Sequence, residues 1–297
     1  MAGTRQILQR RKAVENIRRI TRTMEMISTA RYKSYFNKRA AVVDYHDALA
    51  RAGFLLVSPQ KPVDHPLLKN NNSSRWAVLV IGSGRGLCGQ YNAHVFNILK
   101  VHISRAKELN KDLEVYAPQS KLLGMLNYHG IKPTAVYTDF GDMPSDQQIR
   151  RLTAQFIERY MTGEMDFFGI VYMSFYSVIS QQAQTLTVMP LTELIDDLTT
   201  RAKVIWPWEV SFEDFDLSPS ADEVIQGLAA MLIEYSIKSC FVDAALSEHV
   251  ARMVAMRNAT DNADDMIKDL TAEYNRARQS TITGELLDII GGTGALR

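Results

Sequence analysis

The sequence predicts an α/β protein in which a long antiparallel coiled coil of the N- and C-terminal helices accompanies a Rossmann-like α/β domain. Three observations predict this. All nine prolines lie between Pro59 and Pro219, so both ends of the chain are proline-free. The two ends carry opposite charge. Between them, strand-like and helix-like runs alternate, which is the pattern of an α/β sheet.

The N-terminal segment, residues 1–57, reads as one helix, because an interior proline costs ~3 kcal/mol or more and none is present. From Thr4 to Val57 it would span ~80 Å at ~1.5 Å per residue. Val14, Ile17, Thr21, Met24 and Ser28 recur at spacings of three and four, a narrow stripe of the coiled-coil kind. The C-terminal segment, residues 220–297, opens on Ser220-Ala221-Asp222-Glu223, a capping box. Only Gly227 and Gly284 interrupt good helix formers as far as Ile290, a run of ~105 Å. The Gly291-Gly292 pair is expected to end it. Its stripe is Met256, Thr260, Ala263, Ile267, Leu270, Tyr274 and Ala277.

Helices of such length cannot lie along one small domain and need a partner. Residues 1–40 carry a net charge of +9 and residues 221–290 one of −6. Opposite signs favour pairing with each other, although an exposed ion pair contributes only ~0–1 kcal/mol.

The middle, residues 75–205, forms the α/β domain. Trp76-Ala77-Val78-Leu79-Val80-Ile81 is a continuous apolar run suited to a buried parallel strand. Helix is expected from Asn92 to Leu109, a strand near Leu113–Tyr116, helix over 145–160, and strands over Phe167–Tyr176 and Thr185–Met189. Asn70-Asn71-Asn72-Ser73-Ser74 is a polar linker into the domain.

Directly after the first strand, Gly84, Gly86 and Gly89 satisfy G-x-G-x-x-G, the place where a dinucleotide pyrophosphate sits on helix-terminal amides. The acidic residue that would bind the ribose is missing: Ala117-Pro118-Gln119 follows the second strand. The glycines therefore read first as a tight strand-to-helix turn. The six histidines are scattered without metal-type spacing, and Ser83 is not in a G-x-S-x-G elbow. No catalytic residue, cofactor or metal ligand is expected.

Composition narrows the classes further. With 46% hydrophobic and 23% charged residues among 297, chain-wide disorder and fibrous repeats are excluded, and the length allows about two domains. A net charge of +1 singles out no partner. Cys88 and Cys240 suit neither a disulfide scaffold nor a metal site, which points to a reducing compartment. The polar, basic start has no apolar core of a secretory signal, and no run of ~18 apolar residues suggests a membrane span. On the residues alone, two other classes stay open: a dehydrogenase built on the glycine loop, and a basic coiled coil that binds nucleic acid.

A family resemblance covers both ends and the middle. Ser247-Glu248-His249-Val250-Ala251-Arg252-Met253-Val254-Ala255-Met256, then Ala259-Thr260-Asp261-Asn262-Ala263 and Tyr274–Thr283, closely resemble the C-terminal signature of the F-type ATP synthase gamma subunit. Val14–Met26 is similar to that family's first helix, and Arg85-Gly86-Leu87-Cys88-Gly89 with Asn92 to its glycine loop. The resemblance implies a non-catalytic central-stalk rotor without a cofactor. Its terminal helices would turn inside a hexamer of alpha and beta subunits, with the epsilon subunit and the membrane c-ring as further partners and no nucleic acid. It would sit on the cytoplasmic face of the cell membrane and couple proton translocation to ATP synthesis or hydrolysis. The resemblance places Met24 and Arg252 where the shaft meets the acidic loop of beta, and Gln279 and Thr283 at a second contact level. Gly84 stands where the family usually has Asp, Thr23 where it usually has Ala, and residues 212–219 depart from the usual entry to the last helix.

Overall fold

Proline-free sequence at both ends becomes two long helices, and the alternating middle becomes a five-stranded sheet. The structure, a computed structural model, describes residues 2–56, 65–201, 218 and 220–294. In chain order come α1 (Ala2–Leu56), a 3-10 turn (Pro66–Leu68), β1 (Arg75–Val80), α2 (Tyr91–Glu108), β2 (Asp112–Pro118) and α3 (Leu122–Tyr128). There follow β3 (Ala135–Tyr137), α4 (Asp146–Met161), β4 (Phe167–Phe175), β5 (Gln181–Met189), α5 (Leu191–Arg201) and α6 (Ala221–Gly294). Two compact units result, one of residues 1–30 with 251–297 and the other of residues 31–250.

In the first unit the two chain ends pair antiparallel. Arg11 lies over the Tyr274 ring, Arg18 pairs with Asp264, Thr21 with Thr260 and Glu25 with Arg257, so each step forward on α1 is a step back on α6. The buried residues of α1 here are Val14, Thr21 and Ser28, seven apart. On α6, Met256, Thr260 and Ala263 are buried, and Ile267, Leu270, Tyr274 and Ala277 continue half-buried at alternating steps of four and three. This is a coiled-coil seam. The stripe expected on α1 needs correction: Ile17 is 52% exposed and Met24 36%. At ~100° per residue, the fourth residue after a seam position returns to within ~40° of it and the third only to ~60°. Arg18 and Glu25, half-buried, occupy the flank instead and use it for their ion pairs with α6.

The second unit is built on β1. Ala77, Val78, Leu79 and Val80 have no exposed surface, as a strand between two parallel neighbours and under helices should have. The sheet order is β3-β2-β1-β4-β5, parallel throughout except for β5 against β4. α4 starts at a complete capping box between Ser145 and Gln148 and buries Ile149, Leu152, Phe156 and Tyr160. Phe156 stacks on Phe168 of β4 at 4.0 Å. From α6, Leu232, Ile233, Ile237 and Phe241 enter the same core, each full burial contributing ~1.5–3 kcal/mol. By length and composition α6 is apolar enough to cross a membrane, which the absence of a continuous apolar run did not suggest. In this fold that apolar stretch packs on the sheet. α1 keeps its seven-residue spacing here as well, with Tyr35, Val42 and Leu49 buried.

The strands and helices expected from the sequence are present, with three additions. α3 is seven residues long and β3 three, too short to show periodicity, and α5 follows β5 after a single proline. β5 starts at Gln181, earlier than its apolar end suggested, because Gln181–Gln184 lie on a sheet edge that tolerates polar residues. Ser220 caps α6 as expected, with the Glu223 amide donating to its Oγ at 3.3 Å. The end of α6 differs: the helix passes through Gly291 and Gly292 to Gly294. Glycine weakens a helix by ~1 kcal/mol without forbidding it, and no proline follows to stop it. The domain end at residue 205, the last residue of the 1–57 segment and, apart from Ser218, the atypical stretch 212–219 lie outside the described residues.

The Thr21 and Thr260 hydroxyls share a buried hydrogen bond of 2.7 Å in the seam, and each also reaches a carbonyl of its own helix. Thr21→Val should cost about 1 kcal/mol, and the double variant with Thr260→Val should lose less than the sum of the two single losses, since the shared bond can be lost only once. A double-mutant cycle by denaturant unfolding checks this; additive losses would show that the pair does not act as a unit.

Candidate functional site

After β1 the chain crosses through α2 to β2 and β3 on one side, and β4 returns to the other side of β1. The strand order thus reverses at the C-terminal end of β1, the crevice where open α/β sheets place their ligands. The glycine loop, residues 82–89, fills this position. Gly82 is required by packing, because a Cβ there would stand 2.4 Å from Cβ of Leu122. Gly89 is required by its backbone, at φ +58. Leu87 also takes a positive φ of 63 and is 60% exposed.

The amides of Ser83, Gly84 and Arg85 find acceptors within the chain. Ser83 N–H donates to Asn92 Oδ1 at 2.9 Å, and Asn92 Nδ2 returns a bond to Ser83 Oγ at 2.8 Å. Gly84 N–H donates to Glu248 Oε2 at 2.9 Å, and Arg85 N–H to Glu248 Oε1 at 3.3 Å. The carboxylate of Glu248 therefore stands where a pyrophosphate would have to sit. Nothing in sequence spacing indicated this, because the partners are 164 residues apart. Glu248 was visible only as one letter of the C-terminal motif.

The same stretch of α6 makes further polar contacts. Tyr91, the first residue of α2, donates its hydroxyl to the Ala244 carbonyl at 3.2 Å. His249 stacks on Tyr35 of α1 at 5.3 Å. Burial pushes the Tyr35 phenol up, helped by the Asp142 and Glu248 carboxylates and opposed by Arg31. Asp243 is 94% buried and receives Arg39 Nε at 2.6 Å and Ser174 Oγ at 3.4 Å. Burial raises the Asp243 carboxyl above its ordinary range, and the Arg39 charge and these hydrogen bonds only partly offset it.

Elsewhere the ionisable groups serve the fold. Arg159 of α4 bonds both oxygens of Glu114 on β2, the Tyr116 hydroxyl and Glu164. Burial with the Glu114 hydrogen bond pushes Tyr116 to about 12. At the opposite end of the strands, a cavity of about 600 Å³ is walled by Trp76, Ile98, Val101, His102 and Phe167. His102 bonds Thr185 Oγ1 at 2.6 Å, and burial, then Arg105, lower its pKa. Among the described residues no group of three His, Cys, Asp or Glu could hold a metal.

The four residues singled out by resemblance fall at two levels of the helix pair. Met24 is 36% exposed, and its neighbour Glu25 bonds Arg257 at 3.0 Å. Arg252 is only 6% exposed, so the structure gives these two residues different surroundings. Gln279 and Thr283 are both exposed on one face, the Thr283 hydroxyl donating to the Gln279 carbonyl at 2.9 Å. They lie ~33 Å along α6 from the level of Met24, counting from Arg257 at ~1.5 Å per residue.

Comparison with known proteins agrees with this architecture. A family model described as ATP synthase matches residues 3–296. An ATP synthase gamma chain from Rhodopirellula baltica is 37% identical over all of this chain and 99% of its own length. One from Leptospira biflexa is 34% identical over the full length of both. Among solved structures, a chain of the Euglena gracilis mitochondrial ATP synthase rotor shares the fold at a TM-score of 0.58 and 15% identity, covering 95% of this chain and 99% of its own. A chain from the central stalk and c-ring of Tetrahymena thermophila mitochondrial ATP synthase matches at 0.55 and 17%, covering 81% and 99%.

Two expected outcomes follow from this geometry. A diphosphate would have to displace a carboxylate tethered in place, so calorimetric titration of the full chain with NAD or ATP should show no binding tighter than millimolar; micromolar binding would contradict the filled loop. Arg39→Met should cost about 3–5 kcal/mol at pH 7 by leaving Asp243 buried and unpaired. Its folded pKa would then rise further above the unfolded value near 3.9. The loss is therefore full above the folded pKa and fades as pH falls toward 4. Denaturant unfolding of both proteins between pH 4 and 8 checks the sign; a loss independent of pH would assign the effect to packing.

Proposed function

The chain belongs to the ATP synthase gamma chain family, and from that premise we propose how its helix pair does the work of the subunit. As a gamma chain it is a non-catalytic central-stalk rotor of a membrane-associated ATP synthase. The observation that carries the reading is full-length similarity together with the pairing of α1 and α6.

On this reading residues 1–57 and 220–297 are the shaft helices and residues 75–205 the α/β domain. The shaft turns within the alpha and beta subunits, and the epsilon subunit and c-ring are its remaining partners, on the cytoplasmic face of the membrane. Proton flow through the ring turns the shaft, and each angle favours a different state of each beta subunit. Rotor angle and site occupancy then bias one another, since coupling is reciprocal. Met24 and Arg252 contribute the lower contact with beta, and Gln279 and Thr283 the upper one. Met24, Gln279 and Thr283 offer exposed side chains for this. Arg252, nearly buried, acts mainly through its permanent charge.

Met24→Lys tests the assignment. A new cation facing the acidic beta loop should over-stabilise one angle by about 1–3 kcal/mol, roughly 5- to 150-fold in population. The reassembled complex should still hydrolyse ATP but pump fewer protons per ATP, and neutralising the beta loop should partly restore pumping. Unchanged pumping per ATP would remove Met24 from the coupling contact.

A further inference from the structure

We propose that the glycine loop is an anion site filled by the chain's own Glu248, and that this carboxylate holds the loop's conformation. The inference stands on the geometry of residues 82–92 and 244–249 and is independent of the rotor reading. Two successive amides, Gly84 and Arg85, each donate to a different oxygen of one carboxylate. Successive backbone N–H groups aimed at one point are the arrangement by which loops bind anions. Ser83, fully buried and bonded both ways to Asn92, fixes the base of the loop and so the direction of the two amides.

Gly84, Arg85, Gly86 and Leu87 are all exposed, and Leu87 holds a left-handed backbone conformation. Within the loop Cys88 is 4% exposed, its thiol donating to the Arg85 carbonyl at 3.7 Å. Glu248 thus positions the Arg85 backbone, to which the Cys88 thiol is bonded. Since α6 also accepts the Tyr91 hydroxyl at Ala244, the loop and the start of α2 are tied to the same helical turn. The chemical class the site takes is a carboxylate. Vacated by truncation, it should accept a small free one such as formate.

The two buried thiols provide the measurement. Cys88 is a buried residue of the loop, bonded to the Arg85 carbonyl, whereas Cys240 lies in the core at 1% exposure and serves as the internal control. Full-length protein is treated with a maleimide, and labelling of each cysteine is followed by peptide mass. In Glu248→Ala the Cys88 rate should rise roughly 10- to 100-fold, the range expected for losing hydrogen bonds to a charged group, with Cys240 unchanged. Excess formate should return the Cys88 rate toward that of the unsubstituted protein, and an equal concentration of chloride should not. Should the alanine variant aggregate, Glu248→Gln, which keeps the side-chain volume and one acceptor, should show a smaller rise still confined to Cys88. An unchanged Cys88 rate, or a rise shared by Cys240, overturns the holding role; a rise that formate does not reverse, or that chloride reverses equally, overturns the anion site.

Discussion

A seam that repeats every seven residues governs how the two ends of this chain meet. A strict seven-residue repeat keeps one line of a helix facing its partner and leaves every other line free for other uses. Val14, Thr21 and Ser28 form that line in the first unit, and Tyr35, Val42 and Leu49 in the second. The two stretches differ in chemistry. Small polar residues in the first unit bury little apolar surface, and their hydrogen bonds contribute ~0.5–1.5 kcal/mol each. In the second, aromatic and aliphatic side chains contribute ~1.5–3 kcal/mol each, helped by Tyr45 against Tyr235 at 4.3 Å. Polar layers also fix register, because a slip would bury hydroxyls without partners.

The sheet shows how a fold can keep the form of a ligand site and put it to structural use. Its reversal of strand order, its glycine loop and the helix that follows are the parts of a nucleotide crevice. Here one side chain from a distant part of the chain, Glu248, accepts from two amides of that loop. An intramolecular carboxylate has no translational freedom left to lose, so it outcompetes a free anion at ordinary concentrations. The lesson is that a fold does not define an activity, and occupancy of the site has to be read residue by residue.

Much of the fold was legible in the sequence because it depends on patterns that extend over many residues. The absence of proline from both ends gave the long helices, and the apolar run Trp76–Ile81 gave the central strand. The α6 stripe continues to Ala277 as its spacing predicts, whereas Ile17 and Met24, which the spacing places on the α1 seam, lie off it. Apolar character alone could not distinguish a seam residue from an outward-facing one when true seam positions are threonine and serine. Short elements such as β3 carry too few residues for any period. The Glu248 contact was illegible for a different reason: it joins residues with no sequence relation, and only the folded chain brings them together.

A rotor requires that its surroundings meet a different surface at each angle. The helix pair has such a difference in its charges. Arg10, Lys12, Arg19 and Arg22 are exposed on α1, while Asp261, Asp265, Asp269 and Glu273 are exposed at four-residue intervals on α6. Cross-helix pairs such as Arg18 with Asp264 consume only the charges beside the seam. The exposed charge of these α1 residues is thus basic, whereas α6 carries both signs, with Arg257, Lys268, Arg276 and Arg278 also exposed and Lys268 bonded to Asp265. Salt confines such fields to ~8–10 Å, so only groups of a surrounding subunit close to the shaft respond to the angle. That suits coupling better than strong contacts would. A field that differs between a basic helix and one of mixed charge changes gradually with angle, whereas a tight pair at any single angle would have to be broken at every turn.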